Sequence, residues 1–455
     1  MWCAAALVIA LVGPATGPAC AETDGGALTL REAVARALRE GRDAKIARLE
    51  SAQADAAVGK ARSIYWPHAA VSSNAGWSNR QNDTINAANG QTVNGKPVVK
   101  QYPLSTLGSN AAWLSVYIDQ VLFDLSRWHG VERIELEREA VAVQEAQQRD
   151  SISFVVTERY VTLLRLQRLA AADAEQVRQA EWLDRQAARL FDAGRALPGE
   201  REHVALTLEE ARIRAAQRQQ ELDQARTELW RTIGGTDEAP LLLELAPDSV
   251  PAASASPDAS SDAALRAAPE LRILDLRRRM EEATLAAARA GHLPTLSMRG
   301  GYFHYGTKRF DSFESEIAVG VDLEIPVFSG FRTSNTIEEA SMALEAARLR
   351  YDAERETKRA RVNELAQRLA ATQQQPQLAE RRATLADERR RLADLALQAQ
   401  RGSVRDALTA RTEADHARGA AIDAYFDRIL LWADLEREAG LLAKTLVGEP
   451  ATATP

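Results

Sequence analysis

Aliphatic residues alternate with small, acidic or proline residues over positions 317–327. Every second position is aliphatic: Ile317, Val319, Val321, Leu323, Ile325 and Val327. The positions between them are small, acidic or proline: Ala318, Gly320, Asp322, Glu324 and Pro326. Alternation with a period of two places successive side chains on opposite faces of a β-strand. The pattern therefore predicts a strand with one aliphatic face and one polar face that carries Asp322 and Glu324.

The same order of elements occurs twice along the chain, which indicates two structural copies of one unit. In the first repeat, residues 22–235, the predicted elements are a helix over 28–62, a strand hairpin over 66–123, a long helix over 126–190 and a helix over 200–232. In the second repeat, residues 262–445, they are a helix over 263–290, strands within 293–328, a long helix over 334–400 and a helix over 404–444. At about 1.5 Å per residue, the first long helix is expected to be on the order of 100 Å long.

Three segments lack a regular hydrophobic pattern. Residues 80–108 are rich in Asn, Gly and Gln and predict turns and loops. Residues 236–261 are rich in Pro, Ala and Ser and predict a linker, or equatorial segment, with room for one small strand or helix. Residues 446–455 predict a disordered tail.

The start of the first helix is marked in the sequence, because Thr29 and Glu32 form a predicted capping box there.

Residues 1–21 resemble a secretory signal peptide, with an apolar run over 4–12 and a small-x-small cleavage pattern at Ala19-Cys20-Ala21. Cleavage after Ala21 would remove both cysteines, Cys3 and Cys20, and leave no thiol for disulfides, metal sites or nucleophilic catalysis. No Lys or Arg precedes the apolar run, so the true start codon stays open. Lipidation of Cys20 is an alternative, although the residue three positions before it is Gly17 rather than an aliphatic residue.

Composition favours long helices over a thick globular core, because alanine is the commonest residue of the 45% hydrophobic fraction and only 5% of residues are aromatic. The net charge of −7 comes from interspersed charges without a basic block, which argues against a nucleic-acid partner. The six histidines show neither an i, i+4 pair nor metal-ligand spacing. No catalytic constellation is evident either, so we expect no enzyme activity, no metal and no cofactor.

The four predicted strands have the length of tilted membrane strands, which need about 9–11 residues. An open four-stranded sheet with an aliphatic face is not stable in lipid, because the backbone groups at its edges stay unpaired. We therefore expect the chain to assemble with further copies of itself. Aromatic residues stand where strands meet helices, the place of a membrane-interface girdle. They are Trp66, Phe123, Trp128, Phe328 and Phe331.

Two motifs, set in this duplicated order over residues 28–445, closely resemble the TolC family of outer-membrane channel proteins. They are Leu28-Thr29-Leu30-Arg31-Glu32-Ala33 and Phe123-Asp124-Leu125-Ser126-Arg127-Trp128. The resemblance implies an α+β membrane protein: a trimeric 12-stranded β-barrel, with four strands per chain, continuous with a long α-helical barrel. It implies a location in the outer membrane of a Gram-negative bacterium, in contact with its lipid and extending into the periplasm.

The implied function is export through a tripartite system. A homotrimeric channel would receive cargo from an inner-membrane ABC transporter through a periplasmic adaptor, or membrane fusion, protein. The second motif resembles TolC itself more than the lipidated drug-efflux branch, which tends to carry a Gly-Arg pair there. This favours type I secretion of an unfolded protein, such as an RTX toxin of the cyclolysin type. The alternatives are a small-molecule or multidrug efflux outer-membrane factor and, from another class, a periplasmic coiled-coil adaptor or tether.

The resemblance further implies a periplasmic gate at the helix turns over 191–201 and 399–409. Family members carry two inward aspartates in the second turn; Asp406 matches the first, whereas Thr409 occupies the second position. The spacing from Gly402 to Leu408 is two residues shorter than in TolC. Gly194 and Glu200 fit the Gly-x5-acid pattern of the first turn. Residues expected to form closing pairs are Glu200, Arg201, Arg401, Arg405 and Asp406; the alternative is that they are ordinary solvated charges at helix ends.

Overall fold

The structure is a computed structural model that describes residues 28–78, 84–93, 96–103, 109–235, 243–244, 265–307 and 312–448. Three predicted segments lie wholly or mostly outside the described residues: the signal peptide over 1–21, the linker over 236–261 and residues 449–455 of the tail.

Most of the described chain is helical. The helices are α1 (Leu30–Glu40), α2 (Arg42–Arg62), α3 (Leu125–Asp192), α4 (Pro198–Thr232), α5 (Pro269–Ala290), α6 (Arg332–Ala371), α7 (Gln375–Gln398), α8 (Val404–Glu438) and α9 (Leu442–Val447). The predicted capping box is present at α1, where the amide of Glu32 donates to Thr29 Oγ1 and the amide of Thr29 donates to Glu32 Oε2. Among the helices of the described part of the chain, none combines the length and apolar composition needed to cross a membrane.

The strands form one principal sheet and two small pairs. They are β1 (Leu28–Thr29), β2 (His68–Ser78), β3 (Thr84–Val93), β4 (Lys96–Pro103), β5 (Ser109–Phe123), β6 (Leu243–Glu244), β7 (Thr295–Thr307) and β8 (Ser312–Glu324). The principal sheet is antiparallel in the order β2-β5-β7-β8, while β3 pairs with β4 and β1 pairs in parallel with β6. The α+β character expected of the fold is thus confirmed, with a small antiparallel sheet joined to a mostly helical body.

The loop prediction over 80–108 is wrong for two stretches, because β3 and β4 form an antiparallel pair there. Both strands contain β-branched residues, among them Thr92, Val93 and Val98, which favour extended backbone. Asn94-Gly95, a dipeptide favoured in two-residue hairpin turns, stands between the two strands in sequence.

Three helices predicted as continuous are each broken in two. The helix predicted over 404–444 ends at Glu438, and α9 begins at Leu442, after Gly440 with its left-handed backbone (φ 68°). At Gly41 the backbone turns extended (ψ 143°), and a Cβ there would lie only 2.3 Å from the carbonyl oxygen of Ala37, so α1 and α2 are separate. The long helix predicted over 334–400 is interrupted between α6 and α7, just before Pro376. Proline lacks an amide donor, and its ring clashes with the carbonyl group four residues earlier, at Thr372, which accounts for the break.

The ends of two further elements differ from prediction. The strand predicted over 317–328 ends at Glu324, because Pro326 cannot donate to a strand ladder. At the C-terminus, residues 446–447 belong to α9 and not to a tail. The side chains of Leu442 and Leu446 are buried, and the amide of Ala443 donates to the Asp150 carboxylate at 2.7 Å.

The largest core cluster surrounds the middle of α3, where α1, α4, α8 and α9 meet. Tyr160 is fully buried there, and its hydroxyl donates to the carbonyl oxygen of Leu28 at 2.7 Å. Phe426 and Trp432 of α8 pack into the same cluster. Burying a large apolar side chain contributes about 1.5–3 kcal/mol, so this cluster is a main point at which the two repeats are held together.

Candidate functional site

One face of the principal sheet is aliphatic and exposed. The register places Val71, Val116, Tyr302 and Ile317 in one row across the four strands. Farther along β8, Val319 is 74% exposed on the same face. Other exposed side chains of this face are Leu114, Ile118, Met298, Val321 and Leu323. A contiguous exposed apolar face of this kind is unfavourable in water and suits a hydrocarbon environment.

The opposite face of the sheet is polar. Asp322 and Glu324 are exposed on it, next to a cross-strand ion pair between Arg299 and Asp119. The Oγ atoms of Ser72 and Ser115 lie 2.8 Å apart on the same face. The two faces of the sheet therefore differ sharply in polarity.

In the described part of the chain, the sheet and the two layers of helices each end in edges without a paired neighbour. β2 and β8 are the outer strands of the sheet. Near the sheet the helices pack in the order α2, α3, α5, α6, and farther away in the order α4, α3, α8, α7. In each layer, one edge belongs to the first repeat and the other edge to the second. Exposed hydrophobic residues mark the helical edges: Ile46 and Leu49 on α2, Leu206 and Ile213 on α4, Met342 and Leu349 on α6, and Leu378, Leu385 and Leu392 on α7.

The end of the molecule farthest from the sheet brings the two predicted gate turns together. A small hydrophobic cluster joins the ends of α3 and α7 to the starts of α4 and α8. Its buried members are Leu183, Ala187, Val204, Leu397, Val404 and Ala407. We call this end of the molecule, residues 191–201 with 399–409, the tip.

The two turns at the tip have the same length and the same local structure. Gly194 has a left-handed backbone (φ 70°), and six residues later Glu200 accepts from the amide of Leu197 at 3.1 Å. In the second turn Gln400 is left-handed (φ 58°), and six residues later Asp406 accepts from the amide of Ser403 at 3.3 Å. The second turn, counted from its left-handed residue, is therefore not shortened relative to the first.

Glu200 and Asp406 thus occupy equivalent positions, each three residues after the residue that caps α4 or α8. Ser403 Oγ completes the second capping box by accepting from the amide of Asp406 at 3.1 Å. A carboxylate in the first turn of a helix interacts favourably with its free amides. Both acids therefore have a structural role at the start of a helix, in addition to any role in a gate.

The remaining gate candidates do not pair with one another within the chain. Arg201 lies over the ring of Phe191, with its Cζ 5.1 Å from the ring centroid. Arg401, Arg405 and Thr409 are exposed. No ion pair among the six candidates is present in the described part of the chain, so closing pairs between copies remain a prediction.

A contact that the sequence did not suggest connects the two turns directly. Arg195 Nη1 donates to Gln400 Oε1 across the tip. The left-handed backbone of Gln400 is unfavourable for a residue other than glycine by roughly 1–2 kcal/mol. The only available signal in sequence is the equivalence of Gln400 with Gly194, which becomes visible once Glu200 and Asp406 are aligned.

Between the tip and the sheet, arginine side chains of α8 connect this helix to both of its neighbours, α7 and α3. The sequence did not predict these contacts. Arg418 pairs with Asp387 of α7 at 2.7 Å, and Arg411 pairs with Asp394 of α7 at 2.8 Å. Burial raises the pKa of Asp387, but hydrogen bonds from Arg418 and Arg390 hold it below its ordinary value. On the other side, Arg411 Nη1 donates to the carbonyl oxygen of Gln179 in α3 at 2.6 Å.

Two substitutions at Asp406 separate its capping role from the effect of its charge. Asp406→Ala removes both, whereas Asp406→Asn retains an oxygen that can accept from the amide of Ser403. If the charge lines a constriction, both variants are expected to weaken block of single-channel current by multivalent cations in planar bilayers. An effect of the alanine variant alone would assign Asp406 to helix capping, and unchanged block in both would remove it from the constriction.

The predicted interface aromatics lie at the junctions between strands and helices. Phe123 and Trp128 form an edge-to-face pair with ring centroids 5.3 Å apart. Phe328 and Phe331 form the corresponding pair in the second repeat, 5.6 Å apart, and both are exposed. Trp66 is also exposed. Each repeat therefore presents an aromatic pair directly below the exposed aliphatic face.

Comparison with known proteins agrees with this geometry. Residues 261–440 match the family model of the outer membrane efflux proteins. A comparison with curated protein sequences gave no match. The second repeat thus carries the sequence signature of that family, which confirms the expected resemblance at this level.

The structure resembles solved outer-membrane proteins along almost its whole length. VceC, an outer membrane protein of Vibrio cholerae, is 14% identical, with a TM-score of 0.73 over 92% of this chain and 97% of that chain. The CmeC outer membrane channel of Campylobacter jejuni is 16% identical, with a TM-score of 0.74 over 90% and 85%. The open state of the MtrE outer membrane channel of Neisseria gonorrhoeae is 17% identical, with a TM-score of 0.70 over 92% and 91%. At these identities the likeness establishes a shared fold.

Proposed function

We propose that the protein is the outer-membrane channel of a tripartite export system and acts as a homotrimer. The observation that carries the proposal is a sheet with an exposed aliphatic face, a polar opposite face and two unpaired edges, continuous with long helices. The family match over residues 261–440 and the shared fold support the same function. Such a sheet would place its aliphatic face in the outer membrane and its helices in the periplasm.

The unpaired edge strands of the sheet predict that several copies of the chain close into a ring. An unpaired strand edge in hydrocarbon is strongly unfavourable, so β2 of one copy must pair with β8 of the next. Because the two edges differ, the contact is head-to-tail, and rotation around an axis closes it into a ring. The likeness to outer-membrane channels supports three copies, which would give a 12-stranded β-barrel above a long α-helical barrel.

The helical edges predict which residues meet between copies. Ile213 of α4 and Leu385 of α7 are 57% and 50% exposed and stand at a similar distance along their helices from the tip. Leu378, Leu385 and Leu392 recur every seven residues, the spacing of a helix–helix seam. We therefore expect Ile213→Cys with Leu385→Cys in one chain to form disulfides between copies, trapping trimers on non-reducing gels of outer-membrane fractions.

The predicted mature chain has no cysteine of its own, so each single-cysteine variant is a direct control. Neither single variant is expected to give a cross-linked trimer. A second control pair, Ile213→Cys with Leu349→Cys, joins exposed positions at different distances from the sheet. Cross-linking that stops at dimers, or protein that fractionates as a soluble monomer, would contradict the proposal. The soluble outcome would favour the alternative, a periplasmic adaptor or tether, which does not require the exposed sheet.

The partners of such a channel would be a periplasmic adaptor protein and an inner-membrane transporter, for which an ABC transporter is the first candidate. We propose type I secretion of unfolded protein as the function in detail, based on the Phe123–Trp128 motif. Small-molecule efflux is the second candidate, favoured by the description of the matching family. Deletion of the gene separates them: loss of one protein from the culture medium supports secretion, and greater sensitivity to small toxic compounds supports efflux.

Opening of the tip would require α8 to move relative to α3. Within the chain this movement would break the contact between Arg411 and Gln179 and the ion pair between Arg165 and Asp427. The contacts between α7 and α8 would stay intact, so these two helices would move as one body.

A further inference from the structure

The second repeat presents positive charge beside its exposed aromatic pair, just where the sheet passes into the helices. Arg332 begins α6 and is exposed, next to Phe331. Arg289 lies in the last turn of α5 and is exposed as well. These two helix ends meet, since a methyl group placed on Gly291 would lie 3.3 Å from Thr333 Cγ2.

The matching position of the first repeat differs in its charge. There Arg127 pairs with Asp124 at 3.0 Å, and the Asp124 carboxylate also accepts from the amide of Arg127 at 3.0 Å. In the second repeat Ser329 stands in the place of Asp124, and its Oγ lies 3.4 Å from the amide of Thr333. Ser329 thus contacts the amide one position farther along the chain than Asp124 does, and it brings no negative charge.

The arginines of the second repeat are consequently not neutralised by the chain. Among the described residues, no carboxylate lies within ion-pair distance of the guanidinium of Arg332 or Arg289. The nearest acids along α6 are Glu338 and Glu339, about 9–10 Å farther along the helix axis. In the first repeat, acidic residues neutralise the arginines of this junction. They are Asp124 and also Glu135, which pairs with Arg62 at 2.7 Å.

The apolar side chains next to Arg289 and Arg332 indicate at which depth in a membrane these two charges would lie. Val327, Phe328 and Phe331 are 93%, 77% and 69% exposed and continue the aliphatic face of β8 towards the helices. Aromatic side chains favour the boundary between hydrocarbon and headgroups, and arginines just outside it contact lipid phosphates. The periplasmic side of this boundary is where the proposed orientation of the sheet puts them.

We propose that Arg289 and Arg332, with Phe328 and Phe331, form a binding site for the headgroup of an anionic phospholipid in the periplasmic leaflet. The inference rests on the proposed function, because it requires the sheet to lie in a membrane. The aromatic pair contacts the upper acyl chain and glycerol region, while the two guanidinium groups contact the phosphate. One such site per copy gives three sites around the channel, all in the second repeat.

The test measures lipid preference of the full-length channel reconstituted in phosphatidylcholine vesicles. Spin-labelled phosphatidylglycerol and spin-labelled phosphatidylcholine report the relative association constants of the two lipids with the protein. Wild type is expected to prefer phosphatidylglycerol, and Arg332→Gln and Arg289→Gln are each expected to reduce the preference about fivefold, as expected for one basic group near an anionic surface. The preference should also fall as ionic strength rises.

Ser329→Asp provides the sharpest comparison, because it rebuilds the charge pair of the first repeat without removing an arginine. It is expected to lose as much preference for phosphatidylglycerol as Arg332→Gln, although both arginines stay in place. Arg382→Gln, at an exposed position of α7 remote from the sheet, is the control and should keep the wild-type preference. An equal preference for phosphatidylglycerol in wild type, Arg332→Gln and Ser329→Asp would contradict the proposed binding site. Wild-type protein that fails to insert into vesicles would overturn the proposed function as well.

Discussion

Val319→Arg is expected to prevent stable assembly of the protein in the outer membrane. Val319 is 74% exposed on the aliphatic face of β8, between Ile317 and Val321. An arginine near the middle of the hydrocarbon region of a membrane strand destabilises a barrel by about 2–4 kcal/mol, and a trimer would carry three. We expect loss of the heat-sensitive trimer from outer-membrane fractions.

Gly320→Arg is the matched control for this substitution. Gly320 is the next residue of β8, so its side chain would point to the polar face that carries Asp322 and Glu324. A Cβ at this position meets no other group within 4 Å. Repulsion from Arg299, the cross-strand neighbour of Gly320, costs only about 0.2–1 kcal/mol, so the control is expected to assemble nearly as well as wild type and to alter mainly the ion selectivity of the channel. Equal trimer yields for the two arginine variants would contradict the assignment of the faces.

The two faces of the strands could be predicted because alternation is a local property of the sequence. A register shift of one residue would exchange the faces of a whole strand, so the positions of Val319 and Asp322 are strongly determined. The capping box of Thr29 and Glu32 is similarly local and was found at the predicted residues. By contrast, β3 and β4 were missed because their turn residues suggested loops more strongly than their β-branched residues suggested strands.

The equivalence of the two turns at the tip could not be predicted from the residue types alone. Glycine is the usual residue with left-handed backbone, so Gly402 was the natural choice for the second turn. The structure instead places this conformation at Gln400, where the amides of Arg401 and Gly402 donate to the carbonyl oxygen of Ala396 at 2.8 Å and 3.0 Å. These two hydrogen bonds and the contact with Arg195 offset the unfavourable backbone of Gln400.

The ion pairs of α8 were missed for a different reason. Charged residues are frequent on every long helix of this chain, and most such surface pairs contribute little. Arg165 and Asp427, for example, are 262 residues apart and meet only because α3 and α8 pack side by side. Only tertiary structure distinguishes these contacts from solvated charges elsewhere on the helices.

Arg411→Ala is expected to have the largest effect of any single substitution near the tip. Arg411 is only 6% exposed, and its guanidinium lies 5.0 Å from the centroid of the Trp182 ring. Removing one member of a buried ion pair costs about 3–5 kcal/mol; since Asp394 keeps Arg390 at 3.2 Å, we expect a value near the lower limit. The loss should appear as a lower midpoint of thermal unfolding of the purified protein.

The same substitution also removes the contact from α8 to the carbonyl oxygen of Gln179 in α3, which the proposed opening movement of α8 would break. Arg411→Ala is therefore expected to raise the current through the isolated channel in planar bilayers, in addition to lowering its stability. Arg189→Ala serves as the control, because Arg189 is exposed in the last turn of α3 close to the tip, is not a gate candidate and has no charged partner in the described chain. Its stability should change by no more than about 0.5 kcal/mol. Arg411→Lys keeps the charge but cannot bridge Asp394 and Gln179 in the same geometry. Its midpoint of thermal unfolding and its current should therefore lie between those of wild type and Arg411→Ala. If Arg411→Ala lowered stability with no change in current, the contact between α8 and α3 would hold the fold together without controlling the tip.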